Sequence, residues 1–238
     1  MSVSDERYRS LAGDLHPTPR SRMLISVHIP KCAGTSFRHV LEAVHGGGLW
    51  LNYGVIFTRE QAAAGLVPAA AACIHGHFFA DAFDSLYPGR QLAVWLRHPV
   101  ERVVSNYHHF LRSPDPRDDC CRQLHERRLS LREFAALDWM RNESARYLGG
   151  KPLADFDFVG VAERFAESLS VCRRTFGWHT PVPLPCVNTN PERVTDRYAL
   201  SPQDFSHLLD LNDADLAGHE EAVARLDESV QQLQEHAA

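Results

Sequence analysis

Residues 24–37 read LISVHIPKCAGTSF, and this stretch decides the fold. An apolar run stops at Pro30, a short loop carries Lys31 and several small residues, and a pattern typical of an amphipathic helix begins at Phe37. A loop between a buried strand and a helix directs backbone N–H groups and the positive end of the helix at one point, which suits a phosphate or sulfate. The loop is not a Walker A loop, because Lys31 precedes Thr35 and Ser36 by four and five positions instead of standing directly before the hydroxyl residue.

A second strand-to-helix junction follows at residues 91–112. The run QLAVWLR predicts a buried strand, and Pro99 stands where the first turn of a helix accepts proline. Apolar residues then recur at helical spacing: Val100, Val103, Val104, Tyr107 and Leu111. Arg97 therefore falls at the carboxyl end of a strand, and Ser105 falls about one and a half turns into the helix. Both side chains can reach a second anionic group beside the first.

Residues 74–78, IHGHF, place two histidines two positions apart. In an extended backbone the rings of His75 and His77 lie on the same face, and Gly76 between them would leave room for a ligand. Imidazole suits proton transfer near neutral pH because its unperturbed pKa is about 6.5. A pair of partly buried structural histidines is the alternative. No third ligand stands at metal-site spacing, so the sequence predicts no metal.

These motifs together resemble those of a known family. PKCAGTSF followed by WLRHPVERVVSNY is similar to the two cofactor signatures of sulfotransferases that use 3′-phosphoadenosine-5′-phosphosulfate (PAPS). More narrowly, the chain resembles the carbohydrate sulfotransferase branch that includes heparan sulfate 2-O-sulfotransferases, which keeps its catalytic histidine in an HGH segment. The resemblance implies two sets of cofactor-binding residues: Lys31, Ala33, Gly34, Thr35 and Ser36 for the 5′-phosphosulfate, and Arg97 and Ser105 for the 3′-phosphate.

The resemblance also implies a reaction, the transfer of a sulfuryl group from PAPS to an acceptor hydroxyl. Lys31 would stabilise the charge that grows on the leaving 5′-phosphate, without a metal. We favour His77 as the base that accepts the hydroxyl proton, with His75 as its partner or as an acceptor-orienting group. Glu101 is the reserve base. A carbohydrate is the favoured acceptor, and adenosine 3′,5′-bisphosphate would be the product.

Two further segments are candidates for acceptor binding. Residues 142–150, NESARYLGG, resemble an N-x-x-x-R-x-L-x-G stretch of the same branch, so Asn142 and Arg146 are predicted to face the pocket. A surface helix ended by glycine is the alternative. The segment NTNPER is similar to a late loop near the cofactor and supplies Asn188 and Arg193, although it also reads as a plain Asn/Pro turn.

Strands alternating with helices predict an α/β fold, a single-domain doubly wound parallel sheet with a P-loop-like phosphosulfate-binding loop. The domain is expected to span residues 23–238 after a flexible lead-in of residues 1–22. The sequence predicts strands at 91–97 and 156–161, and helices at 35–44, 99–112, 162–176 and along the C-terminal region. Residues 112–128 read as a charged loop. Residues 49–71 show no clear pattern, apart from an alanine-rich part that suits a short helix.

Composition excludes several classes of protein. The net charge of −5 over 238 residues argues against a general nucleic-acid binder. No stretch has the length of a membrane span or the apolar core of a signal peptide, so we expect a cytoplasmic protein. The six cysteines match no zinc pattern and are predicted to be free thiols. The alternative functions are a P-loop-type nucleotide kinase and a non-catalytic nucleotide-binding module.

Overall fold

The computed structural model describes residues 22–54, 58–63, 67–179 and 198–235. Within them, five parallel strands form one sheet in the order β2-β3-β1-β4-β5. The strands are β1 (Leu24–Val27), β2 (Leu49–Asn52), β3 (Cys73–Gly76), β4 (Gln91–Leu96) and β5 (Phe158–Val161). The chain places β2 and β3 on one side of β1 and then β4 and β5 on the other, so the predicted α/β class with a doubly wound parallel sheet is confirmed.

Helices connect and cover the strands. They are α1 (Gly34–His45), α2 (Arg59–Ala62), α3 (Pro99–Arg112), α4 (Asp119–Arg127), α5 (Leu131–Ala135), α6 (Glu143–Tyr147), α7 (Phe165–Thr175), α8 (Pro202–Asp210) and α9 (Asp213–Glu235). The helices predicted after β1 and β4 and at the C-terminus are confirmed, and the predicted helix of residues 162–176 is a 3₁₀ turn followed by α7. None of the described helices is long and apolar enough to cross a membrane.

The prediction of a loop over residues 112–128 was wrong, because α4 occupies its second half. Asp118 caps this helix by accepting a hydrogen bond from the backbone N–H of Cys121 (2.9 Å). One side of α4 is buried through Cys120, Cys121 and Leu124. In the stretch before β3, where the sequence suggested a short helix in the alanine-rich part, the described residues contain the short helix α2. It begins with a capping box between Thr58 and Gln61 and ends at Ala62.

Two groups of buried apolar side chains hold these elements. The larger group covers the sheet and includes Phe37, Trp95 and Phe158, whose rings pack on one another. The smaller group joins α3, α4, α5 and α8 and includes Phe134 and Leu208. The five cysteines in the described part of the chain are buried free thiols, as predicted.

The order of the strands fixes where a site can form. The connection after β1 runs toward β2, and the connection after the neighbouring β3 runs the other way, toward β4. The carboxyl ends of β1, β3 and β4 therefore lie side by side at the topological switch point of the sheet. The loop of residues 28–33 leaves β1 there, His77 follows β3, and Arg97 follows β4. The three motifs found in the sequence therefore lie together at the carboxyl ends of the three central strands.

Candidate active site

The loop after β1 has a backbone shaped for an anion. Lys31 and Ala33 both adopt the left-handed conformation, with φ angles of 64° and 59°. Ala33 is the N-cap of α1 and offers no side-chain cap, and the first helical bond runs from the N–H of Phe37 to the Ala33 carbonyl (2.9 Å). The N–H groups of Gly34, Thr35 and Ser36 thus precede the hydrogen-bond ladder of the helix. Left-handed residues at a helix N-terminus form a concave set of donors that suits a phosphate or sulfate.

Arg97, which follows β4, makes a hydrogen bond to the backbone of this loop. Its Nη1 donates to the carbonyl oxygen of Lys31 (3.2 Å), and its Nη2 lies 3.4 Å from Oε2 of Glu101. Its Nε lies 4.0 Å from a carboxylate oxygen of Glu163. These contacts help to hold Lys31 in a conformation that costs a non-glycine residue roughly 1 kcal/mol or more. The guanidinium is therefore already shared between the loop and two carboxylates, and its contact with a 3′-phosphate stays a prediction.

The ammonium group of Lys31 lies in a cationic environment. Burial, followed by Arg97 and Arg112, lowers the pKa of Lys31 from 10.5 to about 8. No carboxylate of the described residues lies within ion-pair distance of it. Burial, Lys31 and Arg112 likewise lower the pKa of His109. A desolvated lysine beside other cations gains most from an anion, because the anion supplies the missing counter-charge.

Arg112 and His109, which share the surroundings of Lys31, lie on α3, where the sequence placed Ser105. His109 and Arg112 stand four and seven positions after Ser105, so the three residues share one face of the helix. Ser105 therefore lies on the same face of α3 as two residues whose electrostatic surroundings include Lys31, and its contact with a phosphate stays a prediction. Sequence reasoning missed His109 and Arg112 as members of this group, although the helical spacing from Ser105 could have identified them.

The predicted pair of histidines belongs to a larger cluster. His75 is 1% exposed, and its Nδ1 lies 2.9 Å from the Oγ of Ser26, its register partner on β1. Burial and the neighbouring His77 lower the pKa of His75 to about 3, so its ring stays neutral. This burial suits the role of a partner of His77 better than contact with an acceptor, and both predicted roles of His75 stay predictions.

His77 has the tautomer that a base requires. Its Nδ1 lies 2.7 Å from the carbonyl oxygen of His28, and because a carbonyl only accepts, Nδ1 carries the proton. The other ring nitrogen, Nε2, is then the basic one. Burial lowers the pKa of His77, and the hydrogen bond to His28 opposes that effect. The ring is half-buried and neutral at pH 7, so Nε2 can accept a proton.

His28 and Tyr53 complete the cluster, and sequence reasoning missed both. The His28 ring stacks on His75 with centroids 5.0 Å apart and packs on His77 at 4.4 Å. Its Nδ1 lies 2.9 Å from the hydroxyl of Tyr53, a residue that follows β2 and is 37% exposed. The available signal was a polar residue, His28, within the apolar run before Pro30.

Each of the two glycines of the site permits the close approach of another part of the protein. A Cβ at Gly76 would lie 1.8 Å from the carbonyl oxygen of Asn52 on β2, so this glycine permits close approach of two strands and not of a ligand. A Cβ at Gly34 would lie 1.9 Å from Cδ2 and Nε2 of His28. Gly34 is therefore required at the helix N-terminus because the imidazole of His28 occupies the adjacent space.

Glu101, the reserve base, is engaged in structure. It is 7% exposed, its Oε2 pairs with Arg97, and its Oε1 accepts a hydrogen bond from the backbone N–H of Tyr198 (3.0 Å). Both carboxylate oxygens have partners, and the assignment of the base to His77 or Glu101 stays a prediction.

Asn142 and Arg146, predicted to face the pocket, make contacts with the scaffold, and their contact with an acceptor stays a prediction. The side chain of Asn142 accepts from the backbone N–H groups of Ala214 and Asp215 and donates to Asp213, so it caps the N-terminus of α9. Arg146 pairs with Asp138 and lies over the ring of Trp139. The motif NESARYLGG reflects this packing of α6. Asn188 and Arg193 lie outside the described residues.

Arg102 on α3 is buried against α6 and the start of α9. It is 0% exposed and pairs with Glu143, and its Nε lies 3.6 Å from Asp215. Burial, opposed in part by Arg102, raises the pKa of Glu143 to about 7. This network joins α3, α6 and α9 and belongs to the scaffold.

Comparison with known proteins leaves the family open. No family model matches the chain, and no curated protein matches it. The crystal structure of a sulfotransferase from Alicyclobacillus acidocaldarius is similar over 88% of this chain and 97% of that chain, with 17% sequence identity and a TM-score of 0.48. A likeness at this level assigns no activity. Among the described residues, no three His, Cys, Asp or Glu side chains are grouped so that they could hold a metal.

Proposed function

We propose that this protein is a sulfotransferase that moves a sulfuryl group from PAPS to an acceptor hydroxyl. The observation that carries the proposal is the presence of two functional features at the carboxyl ends of the central strands. One is the anion loop with the desolvated Lys31, and the other is His77 with its basic Nε2. An anion site beside a neutral base is what the transfer of an anionic group to a hydroxyl requires.

The residues of this chain would divide the reaction between them. The N–H groups at the start of α1 and the ammonium of Lys31 bind the 5′-phosphate and stabilise the charge that grows on it as its bond to sulfur breaks. His77 Nε2 takes the proton of the acceptor hydroxyl as the new oxygen–sulfur bond forms. PAPS supplies the activated sulfuryl group. The positive charge comes from the protein, so the scheme includes no metal.

The acceptor is proposed on the resemblance of three motifs to the carbohydrate branch. The ring of Tyr53, which is 37% exposed and has its centroid 4.9 Å from that of His77, suits a sugar or another neutral ring. We therefore favour a carbohydrate hydroxyl. The resemblance to heparan sulfate 2-O-sulfotransferases supplies the first class of acceptor to test.

The direct test is transfer of radioactive sulfate. Wild-type protein is incubated with ³⁵S-labelled PAPS and a panel of neutral and sulfated oligosaccharides, with the His77→Ala variant as the matched control. We expect labelled oligosaccharide with wild type and very little with the variant. Label that appears equally with both proteins would remove His77 from the mechanism. Transfer of phosphate from γ-³²P-labelled ATP, with none of sulfate, would make the protein a kinase.

A further inference from the structure

We propose that His28 is a positioning residue, held between Gly34 of the anion loop and the hydroxyl of Tyr53, that keeps His77 in the orientation required to accept a proton. The inference deepens the proposed function and rests on it. His28 need not contact either substrate to do this, since it acts through the ring and the Nδ1 of His77.

The backbone of His28 holds His77 through two hydrogen bonds. Its N–H donates to the carbonyl of Gly76 (2.8 Å), and its carbonyl accepts from Nδ1 of His77 (2.7 Å). The two bonds bracket the peptide between Gly76 and His77, so the end of β1 and the end of β3 move together. The second bond also sets which nitrogen of His77 carries the proton.

The side chain of His28 is enclosed by the rest of the site. It stacks on His75 with an interplanar angle of 12° and on His77 with an angle of 31°. Its Nδ1 contacts the Tyr53 hydroxyl at 2.9 Å, and the edge that carries Nε2 fills the space in which a Gly34 Cβ would lie, 1.9 Å away. The ring cannot shift toward the loop, and the ring of His77 cannot shift toward His28. The anion loop and the base are therefore joined through one side chain.

Burial, together with the neighbouring charges, keeps the histidine rings of the cluster neutral. Burial, then His75 and His77, lower the pKa of His28 well below 6.5. Arg38 on α1 lowers the pKa of His28 and of His75 as well. The titratable groups that face the His77 ring are His28, His75, Tyr53 and Tyr147. Removal of the His28 ring would admit water to His77, so the pKa of His77 would rise toward its ordinary value.

The first experiment compares His28→Ala and Tyr53→Phe with wild type. We expect the affinity for adenosine 3′,5′-bisphosphate to stay within about threefold, while kcat falls by about 10- to 100-fold, the usual effect of misplacing a reacting group. The acidic limb of the pH profile of kcat should move to higher pH in His28→Ala. In ¹⁵N-edited NMR spectra of labelled histidine, His77 should titrate at higher pH than in wild type. An unchanged pH profile and an unchanged His77 titration would overturn the proposal.

A double-mutant cycle tests the contact with the loop. Gly34→Ala alone places a methyl group inside the His28 ring, so we expect a lower melting temperature and an altered His77 resonance. The Gly34→Ala/His28→Ala variant has room for the methyl group, and the second substitution should restore melting temperature to that of His28→Ala alone. Additive losses would overturn the proposal. The spectra and melting curves need no turnover, so a protein without sulfuryl transfer would refute the proposed function while the role of His28 is still measured.

Discussion

Raising the pH from 7 to 9 should weaken binding of adenosine 3′,5′-bisphosphate, because Lys31 loses its proton in this interval. Burial and the neighbouring Arg97 and Arg112 bring the pKa of Lys31 down from 10.5 to about 8. A bound phosphate favours the charged ammonium and raises that pKa again, so binding is coupled to the uptake of a proton above pH 8. The affinity for the bisphosphate is then highest below pH 8 and falls as the pH rises through this value.

The size of the effect follows from the pKa. With a value of about 8, roughly nine-tenths of the Lys31 side chains are charged at pH 7 and roughly one-tenth at pH 9. If the charged form alone contacts the phosphate, the affinity falls about tenfold between the two values. The ligand does not contribute to this change, because the second pKa of a phosphate is about 6 and its charge is nearly constant above pH 7.

Isothermal titration calorimetry at constant ionic strength measures this dependence. The Lys31→Arg variant is the matched control, because a guanidinium stays charged throughout and should show a flat profile. The Lys31→Gln variant should bind weakly at both values of pH. An equal affinity of wild type at pH 7 and pH 9, or the same decline in Lys31→Arg, would refute the assignment of Lys31 to the anion.

Four further outcomes are expected. His77→Ala should lower turnover by roughly 10²–10⁴-fold with calorimetric affinity for the bisphosphate unchanged, and normal turnover would contradict its role as base. Asn142→Ala should cost about 1 kcal/mol in urea unfolding through loss of the α9 cap, whereas a raised acceptor KM without destabilisation would return this residue to the site. Arg102→Met should cost about 3–5 kcal/mol, because the carboxylates of Glu143 and Asp215 remain buried without their partner, and a loss below 1 kcal/mol would show that the network is dispensable. EDTA should leave turnover unchanged, and a loss restored by magnesium or zinc would reveal a metal.

The fold could be predicted where the sequence carries a strong local pattern. The apolar run before Pro30 and the helical spacing after Pro99 identified β1 and α3, and alternation of strands with helices predicted the parallel sheet. The helix α4 was missed because three buried residues, Cys120, Cys121 and Leu124, are its only apolar face among charged neighbours. Its cap, Asp118, was an available but weak signal.

The parts of the site that lie in local motifs could be predicted, as the strongly patterned parts of the fold could. The loop of Lys31 and the pair His75 and His77 are local motifs, and the topology brings them together at the switch point. The contact of His28 with Tyr53 joins the ends of β1 and β2, which lie 25 residues apart and depend on the register of the sheet. A single sequence does not reveal that register. For the same reason the sequence could not show that Asn142 faces α9.

The most direct test of the central claim is a comparison of three ligands by calorimetry at pH 7: adenosine 3′,5′-bisphosphate, AMP and ATP. A protein that uses PAPS should bind the bisphosphate at least about tenfold more tightly than AMP, since a charge-assisted contact with the 3′-phosphate contributes roughly 1.5–3 kcal/mol. ATP should bind no better than AMP. Equal or higher affinity for ATP would contradict the sulfotransferase assignment and favour a kinase.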